Sequence, residues 1–237
     1  MIVEERSVDA VEGFPSDAVD ALIRDRDENG APSLRSDFIS SIIVELMIPG
    51  EETVPNAITT AVKFLSDNPQ CLKALREENM ELKRKKGGQS DDYTWQDYMS
   101  LSFTQCVISE TLRLANIVNG VWRKVQQDVE IKGYLIPKGW SLMAAFISVH
   151  MDEENYENPY DFNPWRFEKP VSSSVFTPFG GGQRLCPGLE LSRLEIAIFL
   201  HHLVTTYEWI AQEDKIQYFP TIKMRRKLPI QVFDISK

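Results

Sequence analysis

Residues 179–188 read Phe-Gly-Gly-Gly-Gln-Arg-Leu-Cys-Pro-Gly, and this decapeptide decides the interpretation of the whole chain. Three consecutive glycines let the backbone turn sharply and approach a flat ligand closely, because no side chain intervenes. Cys186 is followed by Pro187, a residue that suits the first position of a helix. The segment therefore predicts a glycine-rich loop that leads one cysteine to the start of a helix.

A long helix is predicted directly after this cysteine, over residues 189–207. Its apolar residues recur at helical spacing, among them Leu191, Leu194, Ile198 and Leu203. We expect Cys186 to cap the N-terminus of this helix, where the helix dipole and free amides favour a thiolate. A lone cysteine is more often a small buried residue, so the ligand interpretation depends on the complete spacing around it.

The spacing F-x-x-G-x-R-x-C-x-G is complete at Phe179, Gly182, Arg184, Cys186 and Gly188. It resembles the signature of the cytochrome P450 family. The resemblance implies a haem b whose iron is ligated by Cys186, with the other four residues around the cofactor. A cysteinate ligand pushes electron density toward bound oxygen and favours O–O cleavage. Arg184 would supply a cation for a haem propionate.

Composition excludes several other classes of protein. With 237 residues, 43% of them hydrophobic and 26% charged, the chain is long enough for a sizeable core. A net charge of -9 argues against nucleic-acid binding, and three cysteines without paired spacing argue against a disulfide framework. No run of 18 uncharged apolar residues occurs, and residues 1–9 lack the apolar core of a signal peptide.

The hydrophobic pattern predicts a mainly α fold with small β-sheets. Helices are expected over residues 36–66, with interruptions at Pro49 and Pro55, over 69–86, and as a short and a longer helix within 94–116. Strands are expected over 129–136 and 140–147, as a short hairpin or strand pair around Pro137-Lys138-Gly139, and again within 216–233. We expect one haem-binding domain over 37–237, preceded by a remnant and loop over 1–36.

Glu110 and Arg113 lie three residues apart on one predicted helix face. Such a pair is usually exposed and contributes little to stability. The resemblance, however, implies a later arginine in an F-x-P-x-R-F segment, and residues 162–167 supply it as Arg166. The three residues are therefore expected to form the family's buried charge triad, which holds geometry and takes no part in the chemistry.

Arg123 precedes Asp128 and the segment Val-Glu-Ile-Lys-Gly-Tyr. The family has a propionate-binding arginine at the matching place, so the resemblance implies that Arg123 and Arg184 form a cationic pair for the haem. The alternative is an ordinary exposed arginine at a strand edge, since arginines are mostly exposed.

The oxygen-activating segment of the family, A/G-G-x-D/E-T, corresponds here to Pro49-Gly50-Glu51-Glu52-Thr53. It matches at four of five positions, with Pro49 as the departure. By resemblance Gly50 leaves room for oxygen, Thr53 donates a hydrogen bond, and Glu52 relays protons as general-acid assistance of O–O cleavage. Without the wider pattern, Glu52 would be an ordinary solvated helix residue.

The resemblance covers nearly the whole chain but only the C-terminal half of a family member. The segments around Glu52 and Trp122 look like the plant enzymes that hydroxylate the side chain of brassinosteroid precursors. That likeness suggests residues that face the substrate, for which plain core packing is the alternative. They are Met47, Ile48, Ile117, Val118, Val121 and residues 219–222.

The resemblance implies a haem-thiolate monooxygenase that hydroxylates a steroid side chain at C-23 or C-22. Electrons would come from NADPH through cytochrome P450 reductase, with Lys83 to Lys86 and Arg193 as a basic docking surface. The alternatives are a truncated, catalytically inactive fragment of such an enzyme and a helical interaction module without a cofactor. Full-length relatives are expected on the cytosolic face of the endoplasmic reticulum, held by an N-terminal anchor that these residues do not show.

Overall fold

The computed structural model describes residues 17–87, 93–218 and 222–235. The chain forms two compact units, Met1–Thr53 and Val54–Lys237. Along the described residues, no helix combines the length and the apolar character needed to cross a bilayer.

Helices make up most of the regular structure, as predicted. The helices expected over 69–86, within 94–116 and after Gly188 are confirmed. The bounds are α1 (Ala18–Arg24), α2 (Ser36–Asp67), α3 (Pro69–Lys86), α4 (Trp95–Ser100), α5 (Ser102–Ala115), α6 (Phe146–His150) and α7 (Leu189–Thr206), with 3₁₀ turns at Pro164–Phe167 and Gly182–Arg184.

The predicted interruption of α2 at its two prolines was wrong, because the helix is continuous from Ser36 to Asp67. A proline removes only its own N–H from the hydrogen-bond ladder, and the helical bonds on either side persist. Threonine hydroxyls follow each proline by one turn and bond to its carbonyl. Thr53 Oγ1 donates to the oxygen of Pro49 at 2.9 Å, and Thr59 Oγ1 donates to the oxygen of Pro55 at 2.7 Å.

Within the part of the chain that the structure describes, the strands pair into four small antiparallel sheets, β1–β4, β2–β3, β5–β8 and β6–β7. The strand character predicted for residues 216–233 is confirmed. The bounds are β1 (Gly120–Lys124), β2 (Val129–Ile131), β3 (Tyr134–Ile136), β4 (Ser141–Ala145), β5 (Tyr207–Ala211), β6 (Ile216–Gln217), β7 (Lys223–Met224) and β8 (Ile230–Asp234).

The predicted hairpin around residues 137–139 was placed wrongly. The chain instead reverses between β2 and β3 at Lys132 and Gly133, whose φ angles of 52° and 82° are those of a two-residue primed turn. Strand β4 pairs with β1, which was not predicted. Gly120 permits this pairing, since a Cβ there would come within 2.5 Å of the carbonyl oxygen of Ala144.

The core of the second unit lies between α3, α5, α7 and the C-terminal half of α2. Leu65, Leu75, Ile108 and Leu200 are fully buried in it, and each comes from a different one of these helices. Area removed from water is the main favourable term in such packing, at about 25 cal/mol per Å². The loop that carries Cys186 connects to this helical core through α7.

A buried polar network also joins three of these helices. The Asn79 amide of α3 donates to Thr104 Oγ1 of α5 at 2.9 Å, and its oxygen lies 2.9 Å from Nδ1 of His201 in α7. The Glu78 carboxylate accepts the backbone N–H groups of Phe103 and Thr104 at 2.7 and 2.8 Å. Glu78 thereby satisfies free amides at the start of α5. Since a buried polar group without a partner is costly, these bonds fix how the helices align.

Candidate functional site

The thiol loop, residues 177–188, is built on two glycines in the left-handed region. Gly180 and Gly182 have φ angles of 74° and 64°, conformations that side-chain-bearing residues rarely adopt. The N–H of Cys186 donates to the carbonyl of Phe179 at 3.1 Å and closes the loop. A Cβ built on Gly181 or Gly182 would meet no atom within 4 Å, so this side of the loop is open.

The predicted cap of the following helix was wrong by two residues. Gly188 is the N-cap of α7, so Pro187 precedes the cap and Cys186 lies one residue further out. The N–H of Leu189 reaches back to the carbonyl of Cys186 at 3.4 Å, and no side chain caps the helix. Cys186 is still only two residues before the N-cap, and the N-terminus of a helix favours a nearby anion.

Cys186 differs from the other two cysteines in its exposure. Cys71 and Cys106 are buried, whereas Cys186 is partly exposed. Burial, with the charge of Glu110 as a lesser cause, raises the pKa of the Cys71 thiol to about 11. Burial likewise raises the pKa of Cys106. Because a metal must reach the sulfur, the partly exposed Cys186 is better placed to hold one than the two buried cysteines.

The two arginines predicted to bind propionates are both exposed. Arg123 lies in β1 opposite Leu142, and its guanidinium donates to the carbonyl of Trp122 at 2.9 Å. Arg184 ends the 3₁₀ turn of the thiol loop, two residues before Cys186. Across the described ranges, neither guanidinium lies within 4 Å of a carboxylate. Both cations are therefore free to bind an acidic group of a ligand.

The structure brings Glu110, Arg113 and Arg166 together in one buried cluster. Arg113 donates to both Glu110 oxygens through Nε and a terminal nitrogen, at 2.8 and 2.9 Å. Arg166 Nε donates to Glu110 Oε1 at 3.0 Å. The side chains of Glu110 and Arg113 have no exposed surface, and that of Arg166 is 11% exposed. A buried carboxylate with two guanidiniums is compensated in charge and geometry.

The triad also anchors the segment between α6 and the thiol loop. The N–H of Asn163 donates to Glu110 Oε1 at 2.9 Å, and Arg166 donates to the carbonyl of Glu157 at 3.1 Å. Both guanidiniums lie over the Tyr156 ring, with the carbon of Arg113 4.8 Å from its centroid. The cluster thus ties an irregular stretch of backbone to helix α5.

His150, at the end of α6, belongs to the same region and was missed by the sequence analysis. Its ring joins Asn116, the C-cap of α5, to the backbone N–H of Thr177, the first residue of the thiol loop. Burial, with the charge of Arg113 as a lesser cause, lowers the pKa of His150 to about 4. The sequence shows a histidine at the end of an apolar run, but this pattern does not indicate which residues bond to the ring.

Gly50, Glu52 and Thr53 lie in the part of α2 that belongs to the first unit, whereas the thiol loop belongs to the second. The hydroxyl of Thr53 is bonded to the Pro49 carbonyl. Gly50 and Thr53 are three residues apart and share a helix face.

Of the residues suggested to face substrate, Ile222 is 1% exposed and belongs to the core. Its assignment to the substrate was therefore wrong. Ile117 packs against the same core, Val118 is exposed, and Val121 lies in β1. Met47 and Ile48 lie in α2, and residues 219–221 are outside the described residues.

The basic docking surface suggested for a reductase is largely engaged within the chain. Lys85 and Lys86 pair with Glu81 and Asp97 at 3.0 and 2.7 Å. Arg193 donates to the side chains of Gln105 and Ser109, both at 3.0 Å, and so links α7 to α5.

Comparison with known proteins agrees with this geometry. The sequence model of the family described as Cytochrome P450 matches residues 1–232. The chain belongs to the cytochrome P450 family. It is 64% identical, over 99% of its length and 46% of the relative's, to the Arabidopsis thaliana 3-epi-6-deoxocathasterone 23-monooxygenase CYP90C1. It is 54% identical, over 91% of its length and 43% of the relative's, to the Arabidopsis thaliana 3-epi-6-deoxocathasterone 23-monooxygenase CYP90D1.

A solved P450 structure shares the fold. The retinoic acid bound cyanobacterial CYP120A1 superposes with a TM-score of 0.80 at 27% identity, over 99% of this chain and 54% of that chain. The predicted P450 fold, mainly α with small β-sheets, is therefore confirmed. The chain spans about half the length of the curated P450 relatives it matches.

Replacement of Arg113 by alanine tests the buried triad. We expect the free energy of unfolding to fall by about 3–5 kcal/mol, because the buried Glu110 carboxylate would lose its bidentate partner and keep only Arg166 and the N–H of Asn163. Urea titration followed by circular dichroism measures the change. Lys85→Ala, which removes one member of the exposed pair with Glu81, is the matched control and should cost about 0–1 kcal/mol. Equal losses in the two variants would contradict the structural role of the triad.

The two buried histidines predict how stability depends on pH. Burial lowers the pKa of His150 and of His201 from 6.5 to about 4, so unfolding takes up a proton at each residue between these values. The stability they contribute is complete above pH 6.5 and is lost as pH falls toward 4.

For each histidine, the free energy of unfolding should fall by about 0.7 kcal/mol per pH unit at pH 6.5, and the slope should approach about 1.4 kcal/mol per pH unit near pH 5. Urea titrations at several pH values measure the slope. His201→Gln should remove about half of it. An unchanged slope in that variant would show that other groups carry the pH dependence.

Proposed function

We propose that the protein to which this chain belongs is a haem-thiolate monooxygenase that hydroxylates a steroid side chain, at C-23 or C-22, in brassinosteroid biosynthesis. The observation that carries the proposal is the open thiol loop, with Cys186 partly exposed at the start of α7. Membership of the P450 family implies a haem cofactor and electrons from a reductase. We propose residues 37–237 as the haem-binding domain.

The residues of the thiol loop fit a haem b. The side of the loop at Gly181 and Gly182 is open, and the Cys186 thiol is available to bind iron. Bound there, haem would supply the activation of O2 for insertion of one oxygen atom into a C–H bond, with electrons from NADPH through cytochrome P450 reductase. Cys186 would hold the iron as its thiolate ligand.

Other residues of the second unit would position the cofactor. Arg184 and Arg123 would each donate hydrogen bonds to a propionate, since both guanidiniums lack a carboxylate partner among the described residues. Phe179 fixes the loop through its carbonyl and packs its ring against the core. Gly182 supplies the left-handed turn, and Gly188 caps α7 next to the sulfur.

Gly50, Glu52 and Thr53 would serve the oxygen side of the reaction. Thr53 holds its hydroxyl on the Pro49 carbonyl, so its proton must leave that bond before it can be donated elsewhere. Glu52 would exchange protons with solvent and pass them toward Thr53 as a general acid. Gly50 lies one turn before Thr53, and a Cβ built there would meet no atom within 4 Å.

The names of two relatives support the substrate class. Both Arabidopsis proteins are named as 23-monooxygenases of 3-epi-6-deoxocathasterone, and they are 64% and 54% identical to this chain. We therefore propose a sterol or brassinosteroid precursor as substrate. From the family resemblance alone, we also propose the cytosolic face of the endoplasmic reticulum as the location, with an N-terminal anchor as in full-length relatives.

Haem binding is tested with the spectrum of the reduced protein under carbon monoxide. The chain incubated with haem should give the strongly red-shifted Soret band of a thiolate complex, and Cys186→Ala should abolish it, because the anionic sulfur donates to the iron. Cys106→Ala is the matched control and should keep the band, since that thiol is buried elsewhere. Haem uptake without the red shift would contradict ligation by Cys186. Failure to take up haem would favour a catalytically inactive fragment.

The substrate is tested by product analysis. Haem-loaded protein with reductase, NADPH and a campestanol-type sterol should yield a product with one added hydroxyl group on the side chain. Mass spectrometry and NMR locate the new hydroxyl. Oxidation confined to the ring system would contradict the proposed position, and Thr53→Ala should slow product formation by about 10²–10⁴-fold if its proton is transferred in the reaction.

A further inference from the structure

His150 is one of the most deeply buried polar residues of the second unit, with 1% of its surface exposed. Its Nε2 lies 3.0 Å from the backbone nitrogen of Thr177, and its Nδ1 lies 2.8 Å from Oδ1 of Asn116. A backbone N–H can only donate, so Nε2 must be unprotonated and accept. The proton of the neutral ring is therefore on Nδ1, which donates to Asn116.

Two residues at the C-terminal end of α5 hold His150, one at its ring and one at its backbone carbonyl. Asn116 is the C-cap of α5 with a φ of 46°, and its amide donates to the carbonyl of Arg113 at 2.7 Å. This bond turns Oδ1 of Asn116 toward the histidine. The Arg113 guanidinium also donates to the backbone carbonyl of His150 at 2.7 Å. His150 thus has a fixed backbone position and a fixed ring orientation.

From Thr177 a short series of backbone bonds leads to the thiol. The carbonyl of Thr177 accepts the N–H of Gly180 at 3.0 Å, and the carbonyl of Phe179 accepts the N–H of Cys186 at 3.1 Å. The ring of Phe176, the residue before Thr177, packs on His150 with a centroid distance of 5.8 Å. The imidazole therefore contacts both Phe176 and Thr177 at the start of the thiol loop, and its bond to Thr177 is the contact nearest the turns that lead to Cys186.

We infer that His150 is a positioning residue for the thiol loop. By accepting the Thr177 N–H it fixes where the loop begins, and through the two backbone turns it fixes where Cys186 is presented. It touches neither Cys186 nor a ligand, and it acts through Thr177. The part of this inference that concerns iron ligation rests on the proposed haem function, whereas the ordering of the loop does not.

Two substitutions separate the two bonds of the ring. The amide of glutamine can reach the place of Nε2 and accept from Thr177, so His150→Gln keeps the bond to the loop and loses the bond to Asn116. The amide of asparagine reaches only the place of Nδ1, so His150→Asn keeps the bond to Asn116 and loses the bond to Thr177. His201→Asn is the control, because His201 is also buried and bonded to an asparagine but lies in α7.

Amide hydrogen exchange of the chain without haem is the first measurement. In His150→Asn the Thr177 and Cys186 amides should exchange about tenfold faster, because an unpaired donor at the loop start loses roughly one hydrogen bond of protection. His150→Gln and His201→Asn should leave both rates within about threefold of the unmodified chain. Equal acceleration in the asparagine and glutamine variants would overturn the inference, as would unchanged exchange in His150→Asn.

Nitrogen-15 NMR of the unmodified chain needs no variant and covers the case in which His150→Asn does not fold. The His150 ring should show a protonated Nδ1 and an unprotonated Nε2. A proton on Nε2 would overturn the inference, because that nitrogen could not accept from Thr177.

The third measurement uses haem and records the spectrum of the reduced protein under carbon monoxide. His150→Asn should convert a larger share of bound haem to the form without thiolate ligation, whereas His150→Gln and His201→Asn should not. A uniform thiolate band in all three variants would overturn the role of His150 in presenting Cys186. If the unmodified chain takes up no haem, the alternative of a catalytically inactive fragment is favoured, and hydrogen exchange and NMR still decide whether His150 orders the loop.

Discussion

The buried carboxylate of Glu110 is the group on which the second unit depends. It accepts hydrogen bonds from two guanidiniums and one backbone amide, and its own side chain has no exposed surface. Such a carboxylate is tolerated inside a protein only because its partners compensate its charge. Helix α5 and the irregular segment after α6 therefore depend on each other. The segment supplies Arg166 to the Glu110 carboxylate of α5, and α5 holds the backbone of the segment.

This arrangement explains how a loop without regular structure keeps a definite shape. Residues 151–188 contain two short 3₁₀ turns and no strand, so few backbone groups bond within a repeating ladder. Their backbone is held instead by side-chain hydrogen bonds. Arg113 and Arg166 bond to backbone carbonyls near the start of the segment, and His150 bonds to a backbone N–H nearer its end. Charge-assisted bonds are stronger than neutral ones, which suits them to hold backbone that has no ladder.

The sequence predicted the helices well and the strand pairing poorly, for physical reasons. Helical periodicity is a local pattern, so α3, α5 and α7 could be located from their apolar spacing. Pairing between strands depends on residues far apart, and the partnership of β1 with β4 left only Gly120 as a local sign. The prolines of α2 misled because a proline removes one hydrogen bond, and the rest of a long helix can still form.

Site residues that belong to a sequence motif could be predicted, whereas a residue whose role depends on tertiary contacts could not. The thiol loop and the three members of the triad follow from spacing and resemblance. His150 does not, because its role depends on one amide 27 residues later in the chain and on the cap of a preceding helix. A buried neutral histidine also has no charge pattern that a sequence could reveal.

The contrast in burial between the three cysteines gives this protein a simple chemical property. Cys71 and Cys106 are buried, whereas Cys186 is partly exposed. A thiol-alkylating reagent under native conditions would therefore mark one atom of the chain, and that atom is the one proposed to hold iron. The extent of alkylation then measures the fraction of molecules whose sulfur is unoccupied.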